Sequence, residues 1–184
     1  MAEIDTTQTK LNIGDSAPDF SLKGVDDKEY SLSDFSDKKV LAVVFMCNHC
    51  PYVQAYTERI IKLQQEFAEQ GVQFVGINSN DDKIYPEDGF DKMVVYARIR
   101  GFNFPYLWDS DQSVAKSFDA QCTPEIMVFD SERKLKYHGR VDDNYQDSNA
   151  VTEHFLKDAI TALVEGREVE KPNTHAVGCS IKWT

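Results

Sequence analysis

Seven consecutive apolar residues, Val40-Leu41-Ala42-Val43-Val44-Phe45-Met46, end on Cys47-Asn48-His49-Cys50 and then Pro51. A run rich in β-branched side chains and free of polar alternation marks a strand covered on both faces. Pro51 suits the first turn of a helix, because the N–H it lacks would be unpaired there. The sequence therefore predicts a strand-to-helix corner carrying two cysteines. Beyond it, Val53, Tyr56, Ile60, Leu63 and Phe67 fall on one helical stripe until Gly71 supplies a C-terminal stop. Val72 to Ile77 reads as a second buried strand, which completes a strand–helix–strand crossover.

The same alternation runs through the rest of the chain and points to an α/β fold. Ala17 to Leu22 and Glu29 to Leu32 read as a leading hairpin. Helical segments are expected over Gly89 to Arg100, Gln112 to Phe118 and Asn149 to Val164. Glu125 to Phe129 and Leu135 to Val141 flank the turn Asp130-Ser131-Glu132-Arg133 and predict an antiparallel hairpin. The tail from Arg167 to Thr184, with Pro172 and Gly178, reads as irregular.

At 184 residues the chain fits one domain, 1–184, with a core of about 10–164 and a tail of 165–184. A 41 % hydrophobic content suffices for a packed interior. Twenty Lys+Arg against 31 Asp+Glu give a formal net charge of -11, which repels phosphate backbones and anionic lipid, so neither nucleic acid nor membrane is expected as a partner. The opening residues hold no apolar stretch of signal-peptide or membrane-span length, and the expected location is cytoplasmic. Four cysteines, Cys47, Cys50, Cys122 and Cys179, are too few for a disulfide-stapled secreted scaffold and fit catalytic or metal-binding thiols better.

The Cys47-x-x-Cys50 pair is the strongest chemical signal. A helix start stabilises a thiolate through unpaired N–H groups and the positive end of the dipole. The reading expects Cys47 to be that thiolate and Cys50 to resolve the mixed disulfide it forms, a reversible two-electron switch that needs no cofactor. His49, between them, would modulate the thiolate. The same spacing is also half of a zinc site, so thiolate binding of zinc or copper stays open as an alternative. Cys122 reads as a buried inert thiol, or as a third redox thiol or metal ligand. Cys179 reads as an extra resolving thiol, a link between subunits, or a residue without a role.

Three motifs resemble one family: Gly14-Asp15-Ser16-Ala17-Pro18-Asp19-Phe20, Phe45-Met46-Cys47-Asn48-His49-Cys50-Pro51-Tyr52-Val53, and Cys122-Thr123-Pro124-Glu125. The chain is similar to the thioredoxin-like superfamily, and within it to the AhpC/TSA redoxin group of peroxiredoxin-like and TlpA-like proteins. The ending Gly178-Cys179-Ser180-Ile181-Lys182-Trp183 resembles that of an uncharacterised peroxiredoxin-like subgroup. The resemblance implies a three-layer α/β/α sandwich with a mixed central sheet, and a cis proline at Thr123-Pro124 that offers its backbone to a substrate. It implies thiol–disulfide exchange with a disulfide-bearing protein or small thiol, and an upstream thiol reductant. A thiol peroxidase is the neighbouring alternative.

Two departures qualify the resemblance. Leu41 and Met46 stand where thioredoxins carry a buried aspartate and a tryptophan, which leaves the proton acceptor of the resolving thiol unidentified. With a peroxidatic cysteine registered on Cys50, Val43 and Cys47 replace the family's proline and threonine, and Arg140 is only a weak match for its arginine. His138, His154 and His175 lack metal-site spacing. Asp81-Asp82 and Asp142-Asp143 read as solvated loop residues, and Phe102, Phe104, Tyr106 and Trp108 as core.

Overall fold

The computed structural model describes residues 2–184. A seven-stranded mixed sheet forms its centre. Its strands are β2 (Ser21–Gly24), β3 (Glu29–Ser31), β4 (Val40–Phe45), β5 (Val72–Asn78), β6 (Tyr106–Trp108), β8 (Glu125–Phe129) and β9 (Leu135–Gly139), in the order β3-β2-β6-β5-β4-β8-β9. The expected crossover is present: β4 and β5 pair in parallel, Val40 opposite Val72 through Phe45 opposite Ile77. Helix α1 (Pro51–Phe67) joins them, with Pro51 in its first turn. Both predicted hairpins pair antiparallel.

Each strand of the centre presents alternate residues to two helical layers. Val40, Ala42 and Val44 pack with α1, with Met93 and Ala97 of α2 (Phe90–Arg100) and with Leu156 and Ile160 of α4 (Phe155–Val164). Leu41, Val43 and Phe45 face Val114, Ala115 and Phe118 of α3 (Ser113–Phe118), together with Phe20 and Phe35. The expected three layers follow from that alternation, and the aromatic segment 102–108 packs in the first of the two cores.

Four expectations change. The last helix starts at Phe155 rather than Asn149, because Ser148–Ala150 forms a short 3-10 turn capped by Asp147 and the chain stays extended at Val151. The tail is not irregular. Ala176–Ser180 forms β10, which pairs antiparallel with β1 (Ala2–Ile4) on one side and with β7 (Cys122–Thr123) on the other. Beyond it, Ile181 is buried and donates its N–H to the Gln121 carbonyl at 3.0 Å. Asp142 is buried rather than solvated: Arg59 Nη1 donates to its Oδ2 at 2.7 Å. Asp81 is buried as well. No described helix is long and apolar enough to cross a membrane.

Burial separates two isoleucines on neighbouring helices. Ile60 of α1 is fully enclosed, whereas Ile99 of α2 is 72 % exposed. Ile60→Ala should cost about 2–5 kcal/mol in urea unfolding, through lost transfer energy and the cavity left behind. Ile99→Ala should stay within about 0.5 kcal/mol.

Candidate active site

Parallel pairing carries β4 past its last hydrogen bond, Met46 N–H to Ile77 O at 2.9 Å, and the chain turns through Cys47 to Cys50 into α1. Cys50, not Cys47, is the residue that caps the helix. Both side chains are fully buried. Against them lies the segment Cys122-Thr123-Pro124, whose Thr123-Pro124 bond is cis, as the resemblance implied. Thr123 Oγ1 is 3.6 Å from Cys47 Sγ, and the Thr123 carbonyl oxygen is 3.2 Å from Cys50 Sγ. Across β7, Cys179 of β10 stands in register with Thr123 and brings its sulfur to 2.9 Å from that of Cys50. Three of the four thiols therefore meet at one corner.

Cys50 is the acidic thiol of the group. Its value is lowered to about 4, first by the hydrogen bond from Cys47, then by the Cys179 thiol, the Val53 N–H in the first turn of α1 and Thr123, all against the cost of burial. The Val53 N–H acts without a full capping hydrogen bond. When protonated, the Cys50 thiol donates to the Thr123 carbonyl oxygen. Cys47 moves the opposite way. Its hydrogen bond to Cys50, its burial and the charge of Asp88 all hold it protonated well above the ordinary thiol range. Cys47, the expected thiolate, and Cys50 thus share one hydrogen bond in which Cys50 is the more acidic partner, and Cys50 is also the residue at the start of α1. Cys179 is raised to about 11 by burial and by its hydrogen bond to Cys50.

Asp88 is the residue that sequence reading missed. Its carboxylate is fully buried and accepts the Asn48 N–H at 2.8 Å, the His49 N–H at 3.2 Å and the Asn80 side-chain amide at 2.7 Å. His49 Nδ1 lies 2.5 Å from its Oδ2, and the imidazole stacks on Tyr85 with ring centroids 5.1 Å apart. The ring thus binds Asp88 and steadies the loop that carries the thiols. Asn48, which carried no expected role, is buried. It donates to Glu87 O at 2.8 Å and accepts from Tyr106 Oη at 2.9 Å. No spacing rule links position 88 to position 48.

A second buried anchor holds the cis-proline segment. Glu125 Oε2 accepts the N–H of Gln121 at 2.7 Å and of Cys122 at 3.0 Å, and its Oε1 lies 2.7 Å from His138 Nε2. Cys122 is buried, and burial followed by the Glu125 charge keeps its thiol protonated. That environment fits the inert reading. Arg140 lies over the Phe155 ring and not among the thiols. Ligand atoms of Cys47, His49 and Asp88 come within 4.8 Å of one another, a spacing that a metal ion could use. The Asp88 carboxylate already serves four hydrogen-bonding groups, which favours its role as an anchor.

The thiolate should titrate in ultraviolet absorbance with a midpoint of about 4, present above that pH and lost below it. Cys50→Ser should abolish the signal, and Cys47→Ala should move the midpoint upward by removing a donor. Persistence of the signal in Cys50→Ser would place the anion elsewhere. Asp88→Asn should destabilise the fold by about 1.5–3 kcal/mol in denaturant unfolding, the worth of hydrogen bonds to a charged acceptor.

Comparison with known proteins agrees with this geometry. The uncharacterized conserved protein from Geobacillus kaustophilus superposes with a TM-score of 0.91 at 37 % identity, over 100 % of this chain and 97 % of that one. A thioredoxin family thiol:disulfide interchange protein from Chlorobium tepidum shares the fold, with a TM-score of 0.66 at 18 % identity over 83 % of this chain and 98 % of that one. Thiol-disulfide oxidoreductase ResA of Geobacillus thermodenitrificans is 25 % identical over 137 residues, 73 % of either chain. The Redoxin family profile matches residues 12–153, so this chain, with its thioredoxin-like fold and buried cysteine corner, belongs to the Redoxin family.

Proposed function

We propose that the protein is a thiol–disulfide oxidoreductase whose working couple is Cys47 and Cys50. The observation that carries this reading is the Cys47-x-x-Cys50 pair buried at the start of α1, with both sulfurs lying against Thr123 of the cis-proline segment. The Cys50 thiolate attacks a disulfide bond offered to it, and one sulfur of that bond leaves and takes up a proton. Cys47 then attacks the Cys50 sulfur and releases the second sulfur as a thiol. Two electrons pass to the substrate and the Cys47–Cys50 disulfide remains. An upstream thiol reductant reverses the change.

The Cys122-Thr123-Pro124 segment supplies the wall against which the exchange is aligned. Likeness to ResA supports a thiol or disulfide substrate in general terms. We place the activity in the cytoplasm, where the thiols of a protein with this cysteine usage stay reduced.

A peroxidase reading draws on the same thiolate, since Cys50 holds the position that registers with a peroxidatic cysteine. The arginine that would assist peroxide is not at the site, because Arg140 is engaged over Phe155. Disulfide exchange is therefore the preferred chemistry.

Cys50→Ser should reduce exchange with a disulfide substrate to the uncatalysed rate. Cys47→Ser should keep the first attack and lose the Cys47–Cys50 disulfide, read by peptide mapping. Unchanged turnover in Cys50→Ser would overturn the assignment, as would a stoichiometric metal that masks both thiols in the purified protein. Peroxide consumption should be no faster than that of a free thiol; a fast reaction would instead select the peroxidase.

A further inference from the structure

We propose that Cys179 is the sulfur through which the buried Cys47–Cys50 couple exchanges with an external partner, a protein dithiol or its disulfide. The inference rests on the redox reading of Cys47 and Cys50 and adds the route by which a partner reaches them. Neither of those residues has exposed surface, whereas Cys179 is half-buried on the covering strand β10. Its sulfur is 2.9 Å from Cys50 Sγ, so bond formation to the usual length of about 2.05 Å needs movement of under about 1 Å.

The placement is built into the backbone. A Cβ on Gly178 would lie 2.0 Å from the Thr123 carbonyl oxygen and 3.2 Å from Pro124 N, so only glycine lets β10 close on the cis-proline segment. On its other side β10 pairs with β1, and beyond it Lys182 N–H donates to Asn80 Oδ1 at 2.9 Å while Thr184 N–H donates to Gln112 Oε1 at 3.1 Å. The cysteine is held between these ties rather than carried on a free end.

The steps balance as follows. Cys179, losing its proton, attacks a partner disulfide and expels one partner sulfur, which takes up a proton. The Cys50 thiolate attacks Cys179 in the mixed disulfide, forms Cys50–Cys179 and releases the second partner thiol. Cys47 then attacks Cys50, forms Cys47–Cys50 and returns Cys179 to its thiol. The partner gains two electrons from the couple and two protons, one given up by Cys47 and the other taken from solvent, while Cys179 ends as it began. In reverse, a dithiol partner re-reduces the protein. In that direction Cys50 is the sulfur expelled when the partner attacks Cys179, and its low pKa makes it the better leaving group.

The full-length protein tests the proposal. Cys47→Ser treated with one equivalent of diamide should yield a Cys50–Cys179 disulfide by peptide mapping, and wild-type protein should show both that linkage and Cys47–Cys50. Oxidised Cys179→Ser should retain Cys47–Cys50 yet be reduced by thioredoxin, used as a probe dithiol, at least about tenfold more slowly than wild type, because intramolecular delivery of the sulfur is lost. Gly178→Ala should lower the yield of the Cys50–Cys179 linkage while leaving Cys47–Cys50 formation intact. A mapped Cys47→Ser with Cys179 always free, or an unslowed Cys179→Ser, would overturn the role of Cys179 and leave the couple standing. Failure of wild type to form Cys47–Cys50 would strike the redox reading itself.

Discussion

A sulfur anion inside a protein is costly unless hydrogen-bond donors surround it. At Cys50 they do. The start of α1 contributes the Val53 N–H, the turn after β4 the Cys47 thiol, the cis-proline segment Thr123, and the tail strand Cys179. These donors come from three separate stretches of chain, 47–53, Thr123 and Cys179, so the reactive state of this sulfur is a property of the closed fold. The same arrangement explains why the two cysteines of the motif behave differently. Cys50 stands where the helix dipole is felt, whereas Cys47 sits beside the Asp88 carboxylate with no helix behind it.

Two buried carboxylates keep this corner in shape. Asp88 gathers the backbone N–H groups of Asn48 and His49, which would otherwise be orphaned as the chain leaves β4. Glu125 does the same for Gln121 and Cys122 on the facing segment, with His138 as its buried partner. Asp88 acts on Cys47 through its charge, and Glu125 acts on Cys122 through its charge and a side-chain hydrogen bond. Both effects help keep those thiols protonated. A single set of loop anchors thus orients the backbone and sorts the thiols into one acidic and three protonated groups.

The legible parts of this protein are those that local rules govern. The apolar run Val40 to Met46, Pro51 after Cys50 and the helical stripe from Val53 to Phe67 each constrain a few neighbouring residues, and the strand, the helix start and the crossover follow. The antiparallel pairing of β8 with β9 was readable for the same reason. Where the reading went astray, long-range contacts decide. Asp142 looked solvated in its loop but meets Arg59 from α1, and the tail looked irregular because its strand character depends on partners at residues 2–4 and 122–123.

By itself, then, the amino-acid sequence determined an α/β fold with a cysteine pair at a strand-to-helix corner, because strand burial, helix periodicity and proline geometry act over a few residues at a time. Which sulfur carries the charge, that Cys179 lies against it, and that Asp88 and Glu125 hold the two sides of the site were decided only by the tertiary structure. Cys47 and the Val53 N–H act on Cys50 from within the same corner, but Cys179, Thr123 and the Asp88 anchor of Asn48 lie more than thirty residues away, and only folding brings them into contact.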